Sequence, residues 1–304
     1  MPHSGVDPLD AWLNDQLGQR VVARSPVGGG CIHNAWCLRG ADGERFFAKT
    51  NRADQMPLLE AEANGLAALA LVAPAGLVVP EPLALGQAGS LAVLVLPWLE
   101  LARGQGRTRD WAACGANLAR LHRTSLRRCD PQARPLAFGW DRDNAIGASP
   151  QHNGWEESWS HFFWERRLRP QLAWLASKGH RLRGAERLRE RLPDWLDQHG
   201  AQPCLVHGDL WSGNGALLAG GGACFFDPAV YRGDREVDLA MARLFGGFPA
   251  AFFEGYGEEW PLAEGWRQRV DLYNLYHLLN HANLFGGGYH AQARSVLEAL
   301  TGLG

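Results

Sequence analysis

The sequence predicts an α+β fold in two lobes, with strands and one key helix first and helices afterwards. Three observations predict it. Up to residue 98, extended apolar runs alternate with glycine turns around one long helical segment, 57–71. From residue 99 on, apolar residues recur at three- and four-residue steps. Set among these helices, a polar run (Val206-His207-Gly208-Asp209-Leu210-Trp211-Ser212-Gly213-Asn214) is followed by the apolar Ala223-Cys224-Phe225-Phe226, which ends in Asp227-Pro228. The expected division is residues 1–98 and 99–304.

Size and composition narrow the classes. A chain of 304 residues with 46% apolar content can bury a sizeable core in one or two domains. The formal net charge is −2 and the basic residues are scattered, so neither nucleic acid nor a membrane surface is expected as a partner. The six cysteines form no C-x-x-C pair, which suits reduced thiols and a cytoplasmic location. Asp7, Asp10 and Asp15 interrupt the N-terminal apolar residues, unlike a signal peptide. The apolar run 91–99 is too short for a bilayer.

The elements follow in order. Residues 8–18 place Leu9, Trp12, Leu13 and Leu17 on one helical face. Residues 21–27 read as a strand, Gly28-Gly29-Gly30-Cys31 as a turn, and 32–38 as a second strand. Glycines let backbone N–H groups approach phosphates, although hairpin turns are glycine-rich in any case. Asp42-Gly43 is a turn, and 45–50 is a strand carrying Lys49. On the helix 57–71, both Glu60 and Glu62 are available to that lysine. Glu62 is preferred because it borders the apolar face of Leu58, Leu59, Leu66 and Leu69. Residues 78–80 and 83–86 suggest a short strand and turn, and 91–96 a strand buried on both faces. Pro97-Trp98-Leu99-Glu100 then reads as a hinge, with the Pro97 carbonyl and the Leu99 N–H facing a nucleotide base.

Helical spacing covers 111–122, where His122 is expected to be structural. Residues 127–150 form a long Pro/Gly/Asp-rich connection containing Asp143-Asn144-Ala145-Ile146-Gly147, as binding loops do. Trp155, Trp159, Phe162, Phe163 and Leu168 fit a helix burying an aromatic face better than a sugar platform. A helix over 184–199 leads to the polar run. A charged turn after it holds Asp234 and Arg235, candidates for contacting substrate. The helix 266–285 carries His277 and His281, read as packing residues because no metalloprotease Glu accompanies them.

The chemistry sits in the polar run. An Asp, four residues and an Asn is the spacing of a kinase catalytic loop, and Asp227 follows Asn214 by thirteen residues. Asp209 would accept the proton of an attacking hydroxyl. Asn214 and Asp227 would supply hard oxygen ligands to Mg²⁺ bridging ATP phosphates. Lys49, held by Glu62, would neutralise phosphate charge.

The runs H-G-D-L-W-S-G-N (207–214), F-D-P-A-V-Y-R-G-D-R-E-V-D-L-A-M (226–241), L-F-G-G-F (244–248) and L-Y-H-L-L-N-H-A-N-L-F-G (275–286) resemble the fructosamine/ketosamine-3-kinase family. So do G-G-G-C-I (28–32), D-N-A-I-G (143–147) and the aromatic helix 155–172. The similarity covers nearly the whole chain. It implies a two-lobed protein-kinase-like fold of the aminoglycoside-phosphotransferase branch, with a small antiparallel β lobe and a larger helical lobe. It also implies ATP-dependent phosphorylation of the sugar O3 of ketosamines, free or as glycated lysines on proteins, and deglycation by elimination of the phosphate. Asp209 would be the base, Asn214 and Asp227 the metal ligands, Lys49 and Glu62 the phosphate-positioning pair, and Gly28 to Cys31 the phosphate loop. Trp211 would stack on the acceptor. Pro97-Trp98 departs from the Glu-Tyr pair more usual at this hinge. Loop cysteines in the family suggest redox control at Cys31, which equally suits the turn as a small residue. Other kinases of this fold, acting on choline, homoserine or aminoglycosides, and a nucleotide-binding pseudokinase are the competing readings. The preferred sugar is not specified, and both monomer and homodimer fit.

Overall fold

A computed structural model describes residues 7–28, 32–104, 106–127 and 137–303. The N-terminal part runs α1 (Pro8–Leu17), β1 (Val21–Val27), β2 (Asn34–Gly40), β3 (Arg45–Arg52), α2 (Met56–Val72), β4 (Leu77–Val78), β5 (Ala84–Ala88) and β6 (Leu91–Pro97). Asp7 caps α1, its Oδ1 accepting the Leu9 N–H at 3.0 Å. The sheet has the order β1-β2-β3-β6-β5, with every pair antiparallel.

The apolar run of β6 is buried on both faces, because each face of the sheet carries a helix. Val93 and Val95 pack with Leu9 and Leu13 of α1. Ala92, Leu94 and Leu96 pack with Leu59, Leu66 and Leu69 of α2. A strand's period of two divides one continuous apolar segment between two cores. Each fully buried Val or Leu contributes about 1.5–3 kcal/mol.

β4 does not join this sheet. It pairs parallel with a strand of the second part, Ala223↔Leu77 and Cys224↔Val78.

The second part runs α3 (Thr108–Arg127), β7 (Asn144–Ile146), β8 (Ser149–Gln151) and α4 (Trp159–Phe162). α4 widens into a π-helical stretch, Phe163–Leu168, and continues as α5 (Arg169–Ser177). Then come α6 (Ala185–Leu196), β9 (Cys204–Val206), β10 (Gly215–Leu217), β11 (Ala223–Phe225), β12 (Tyr231–Gly233), α7 (Glu236–Leu244), α8 (Ala250–Glu259), α9 (Trp266–Phe285) and α10 (Gly288–Thr301). The core behind the polar run holds Trp159, Phe162, Phe163, Tyr231 and Tyr273. The aromatic stripe is therefore core, as the helical spacing suggests, although Trp155 precedes the helix. Buried Arg167 stacks on Tyr231, 3.9 Å from its ring centroid, and donates to His152 O and Asn153 Oδ1, both at 2.7 Å.

α3 and α8 cross at two glycines. A Cβ at Gly115 would lie 1.8 Å from Phe252 O, and one at Gly255 would lie 2.0 Å from Ala112 O. Only hydrogen fits at either position.

Candidate active site

Lys49 and Glu62 meet because β3 and α2 pack face to face. Lys49 Nζ lies 2.7 Å from Glu62 Oε1 and 2.5 Å from Asp227 Oδ1. Burial alone would lower the lysine's pKa, but the two carboxylates outweigh it and hold the ammonium above its usual range. Burial pushes Glu62 up, with the Lys49 charge opposing. α2 also leans on the residues after Asp227: a Cβ at Gly65 would lie 3.2 Å from Pro228 Cγ. Trp140 Nε1 donates to Asn64 Oδ1 at 2.9 Å. The helix that holds Lys49 is thus braced on the helical part of the chain.

Asp209 and Asn214 lie in the loop between β9 and β10. Asn214 Nδ2 donates to Asp209 O at 2.9 Å and to Asp209 Oδ2 at 3.3 Å. With its nitrogen so used, the amide oxygen is the end available to a cation. Asp227 follows β11, and its Phe226 neighbour donates N–H to Asn214 O at 3.0 Å. Asp227 has φ +56, the one positive φ of a non-glycine among the described residues. Such left-handed backbone at a polar residue is a common mark of a functional turn.

Burial pushes Asp209 up to about 7, helped by the Asp227 and Asp238 charges and opposed by the Asn214 hydrogen bond. The cluster therefore contains a carboxylate poised near neutrality, an amide oxygen and a carboxylate suited to a hard divalent cation, and a fixed ammonium.

The turn before Asp209 is held from beneath. Buried Asp238 accepts the His207 N–H at 2.7 Å and the Gly208 N–H at 2.8 Å. It also accepts His122 Nε2–H at 3.1 Å, and His122 Nδ1 lies 2.9 Å from Tyr256 OH. Burial pushes His207 down, so its neutral ring donates Nε2–H to Phe226 O at 2.9 Å and accepts the Asp209 N–H at Nδ1 at 3.3 Å. Gly208 has φ +80, and a Cβ there would lie 2.1 Å from Ala229 O. His122 is thus structural, as expected.

Other sequence candidates fall differently. Gly28 follows β1, whereas Gly29, Gly30 and Cys31 lie outside the described residues, so the phosphate-loop and redox readings rest on sequence there. Pro97 closes β6, and Leu99 follows in the link, where Ala219 N–H donates to Glu100 O at 2.8 Å. Asp234 and Arg235 do not join the cluster. Asp234 is buried, accepting Tyr273 O–H at 2.5 Å and lying 3.0 Å from His199 Nε2. Arg235 stacks on Trp260, 3.9 Å from its centroid, and donates to Trp260 O and Pro261 O at 2.9 and 2.6 Å. Their charges are spent inside the fold, so the charged turn is a structural joint rather than a substrate contact. A cavity of about 850 Å³ lined by Arg191, His199 and Arg269 contains none of the clustered residues.

Sequence reasoning missed Asp238 and His33. The signal for Asp238 was present, since it stands in the 226–241 run, but spacing alone does not reveal a hydrogen bond to backbone. His33 is pushed down to about 4 by burial and the Lys49 charge, and its Nδ1 lies 3.0 Å from Asn51 Nδ2.

A two-part α+β fold that brings this cluster together defines a phosphotransferase of the protein-kinase-like class, acting on a hydroxyl acceptor. The fructosamine kinase family model matches residues 7–302, and the chain belongs to that family. It is 46% identical to a Synechocystis sp. protein named as a ketoamine kinase, over 94% of this chain and 93% of that one. It is 34% identical to the chloroplastic protein-ribulosamine 3-kinase of Oryza sativa, over 97% of this chain and 83% of that one. A crystal structure from Haemophilus somnus, named as a fructosamine-3-kinase, superposes with a TM-score of 0.83 at 26% identity, covering 96% of each chain. No helix among the described residues is long and apolar enough to cross a membrane.

Proposed function

We propose that this protein is an ATP-dependent ketosamine-3-kinase that phosphorylates the sugar O3 of ribulosamine, erythrulosamine or fructosamine adducts on lysine, free or in proteins, and so initiates deglycation. The observation that carries the reading is the convergence of Asp209, Asn214, Asp227 and Lys49 on one spot. Asp209 accepts the O3 proton as the O3–P bond forms and the bond from the γ-phosphorus to ADP breaks. No covalent enzyme intermediate is needed, because such transfer depends on position and charge. Lys49, oriented by Glu62, sets an ammonium against phosphate oxygens, and the family resemblance of the sequence Gly28 to Cys31 supports its role as the phosphate loop. Asn214 and Asp227 would hold Mg²⁺, whose hard-oxygen preference their donors match, and which would offset phosphate charge. Pro97 and Leu99 face the adenine at the joint between a lobe of residues 1–98 and one of 99–304.

The test is ADP release with Mg·ATP and ribulose-, erythrulose- or fructose-lysine, with Asp209→Asn as control. Turnover on one adduct that disappears in the variant supports the reading and ranks the sugars. ATP binding without turnover on any adduct would sink it.

A further inference from the structure

Among the described residues, the only exposed Trp or Phe side chains are Trp211, Phe245 and Phe285, at 39%, 38% and 62% exposure. They are far apart in sequence, yet they form one surface. Trp211 and Phe245 meet edge to face with centroids 6.5 Å apart, and Phe245 lies 4.8 Å from His281. His281 lies 5.5 Å from Phe285 and 5.0 Å from Tyr289, and Tyr289 is 6.4 Å from both Phe245 and Phe285. The surface starts at the catalytic loop, where Trp211 N–H donates to Asp209 O at 3.1 Å. It then crosses the end of α7 and reaches α9 and α10.

We propose that this surface seats the amine arm of the acceptor and selects a methylene chain continuing into a peptide over a free amino acid. The proposal rests on the kinase reading above and adds residues to it. Three arguments support it. Solvent-exposed aromatic rings are costly to leave in water, and here all of them are gathered at one mouth rather than scattered. The surface is continuous with the loop that holds Asp209, so the arm of an acceptor whose hydroxyl lies at Asp209 can extend onto it. None of its five members offers a fixed charge, and burial pushes His281 down, keeping it neutral. The zwitterion of a free amino acid would find a ring face for its ammonium but no partner for its carboxylate. A lysine arm whose α-groups are in peptide bonds brings no such charge and covers the rings with methylenes.

The experiment measures kcat and KM for three ketosamines of one sugar, built on Nα-acetyl-lysine amide, free lysine and methylamine. It compares wild type, Phe285→Ala/Tyr289→Ala, and Leu83→Ala, an exposed apolar residue at the N-terminal sheet, as control. Wild type and control are expected to favour the blocked lysine adduct in kcat/KM by about tenfold over each of the others. The double variant should lose that preference through a higher acceptor KM rather than a lower kcat. Equal kcat/KM for blocked and free lysine in wild type, or a preference surviving in the double variant, would overturn the proposal. Absence of turnover on all three by wild type, with each of ribulose, erythrulose and fructose as the sugar, would instead overturn the kinase reading beneath it.

Discussion

Asp238 on α7 receives two consecutive backbone N–H groups, those of His207 and Gly208, at 2.7 and 2.8 Å. This pair of bonds fixes the turn from which Asp209 projects. A buried carboxylate is costly, and burial works to raise its pKa; the His122 hydrogen bond and charge and the backbone donors outweigh that and hold Asp238 below the usual carboxylate range. Asp238→Asn presents an amide nitrogen to one of these donors. The substitution is expected to cost about 1–3 kcal/mol of stability for the unsatisfied group. It should also lower kcat roughly 100-fold by misplacing the base. Denaturant unfolding and steady-state kinetics check both. Unchanged kcat would remove Asp238 from the positioning of the loop.

The Lys49–Glu62 pair separates stability from activity. Lys49→Met leaves Glu62 buried without its counter-charge and should cost about 3 kcal/mol. Lys49→Met/Glu62→Leu removes both charges and should recover most of that loss. Neither variant should regain activity, because the phosphates lose their ammonium, an effect of about 100- to 1000-fold in kcat. A double variant as unstable as the single one would contradict the pairing account.

Gly208 stands where kinase loops often carry a side chain, and Ala229 O explains the difference. Gly208→Ala combines a positive φ with a 2.1 Å clash against backbone, so the loop must move. Its expected signature is a loss of kcat of about 100-fold or more. ATP binding, read by calorimetry, should persist, because Lys49 and Glu62 lie on other elements. Full kcat would show that the loop tolerates the shift.

These residues also show what was legible in the sequence. Asp209, Asn214 and Asp227 announce themselves because a short loop and the β10–β11 hairpin set their mutual positions, so chain spacing translates directly into space. Lys49 and Glu62 were legible because the period of β3 and the apolar face of α2 decide which side chains meet. The buried aromatic helix followed from spacing for the same reason. Asp234 and Arg235 misled, since a charged turn looks alike whether its charges face a ligand or, as here, Tyr273, Trp260 and backbone carbonyls. Asp238, His33 and the pairing of β4 with β11 depend on contacts between distant segments, and no local periodicity encodes those. The aromatic surface was invisible for a similar reason: Trp211, Phe245, Phe285 and Tyr289 become neighbours only when α7, α9 and α10 pack.

Asp209 carries a pH dependence in both rate and stability. Burial and the Asp227 charge raise its folded pKa to about 7, well above the roughly 3.9 of an unfolded Asp. For rate, the base must be ionised, so kcat/KM should fall about tenfold per pH unit below roughly 7, with that limb absent in Asp209→Asn. For stability the direction is opposite. The contribution of the protonated folded form is fully present below the unfolded value and is lost as pH rises through about 7, because the folded state must then hold a charge that the unfolded chain leaves in water. Asp209→Asn keeps the shape and an acceptor for Asn214 but never ionises. At pH 8 it should therefore melt above wild type by about 2–4 °C, the shift that roughly 1 kcal/mol produces in a chain of this size. The gap should close as the pH falls toward about 4, where Asp209 is protonated in the folded state. A variant that melts at or below the wild-type temperature at pH 8 would show that the Asp209 charge is already compensated, and the burial account of its raised pKa would fail.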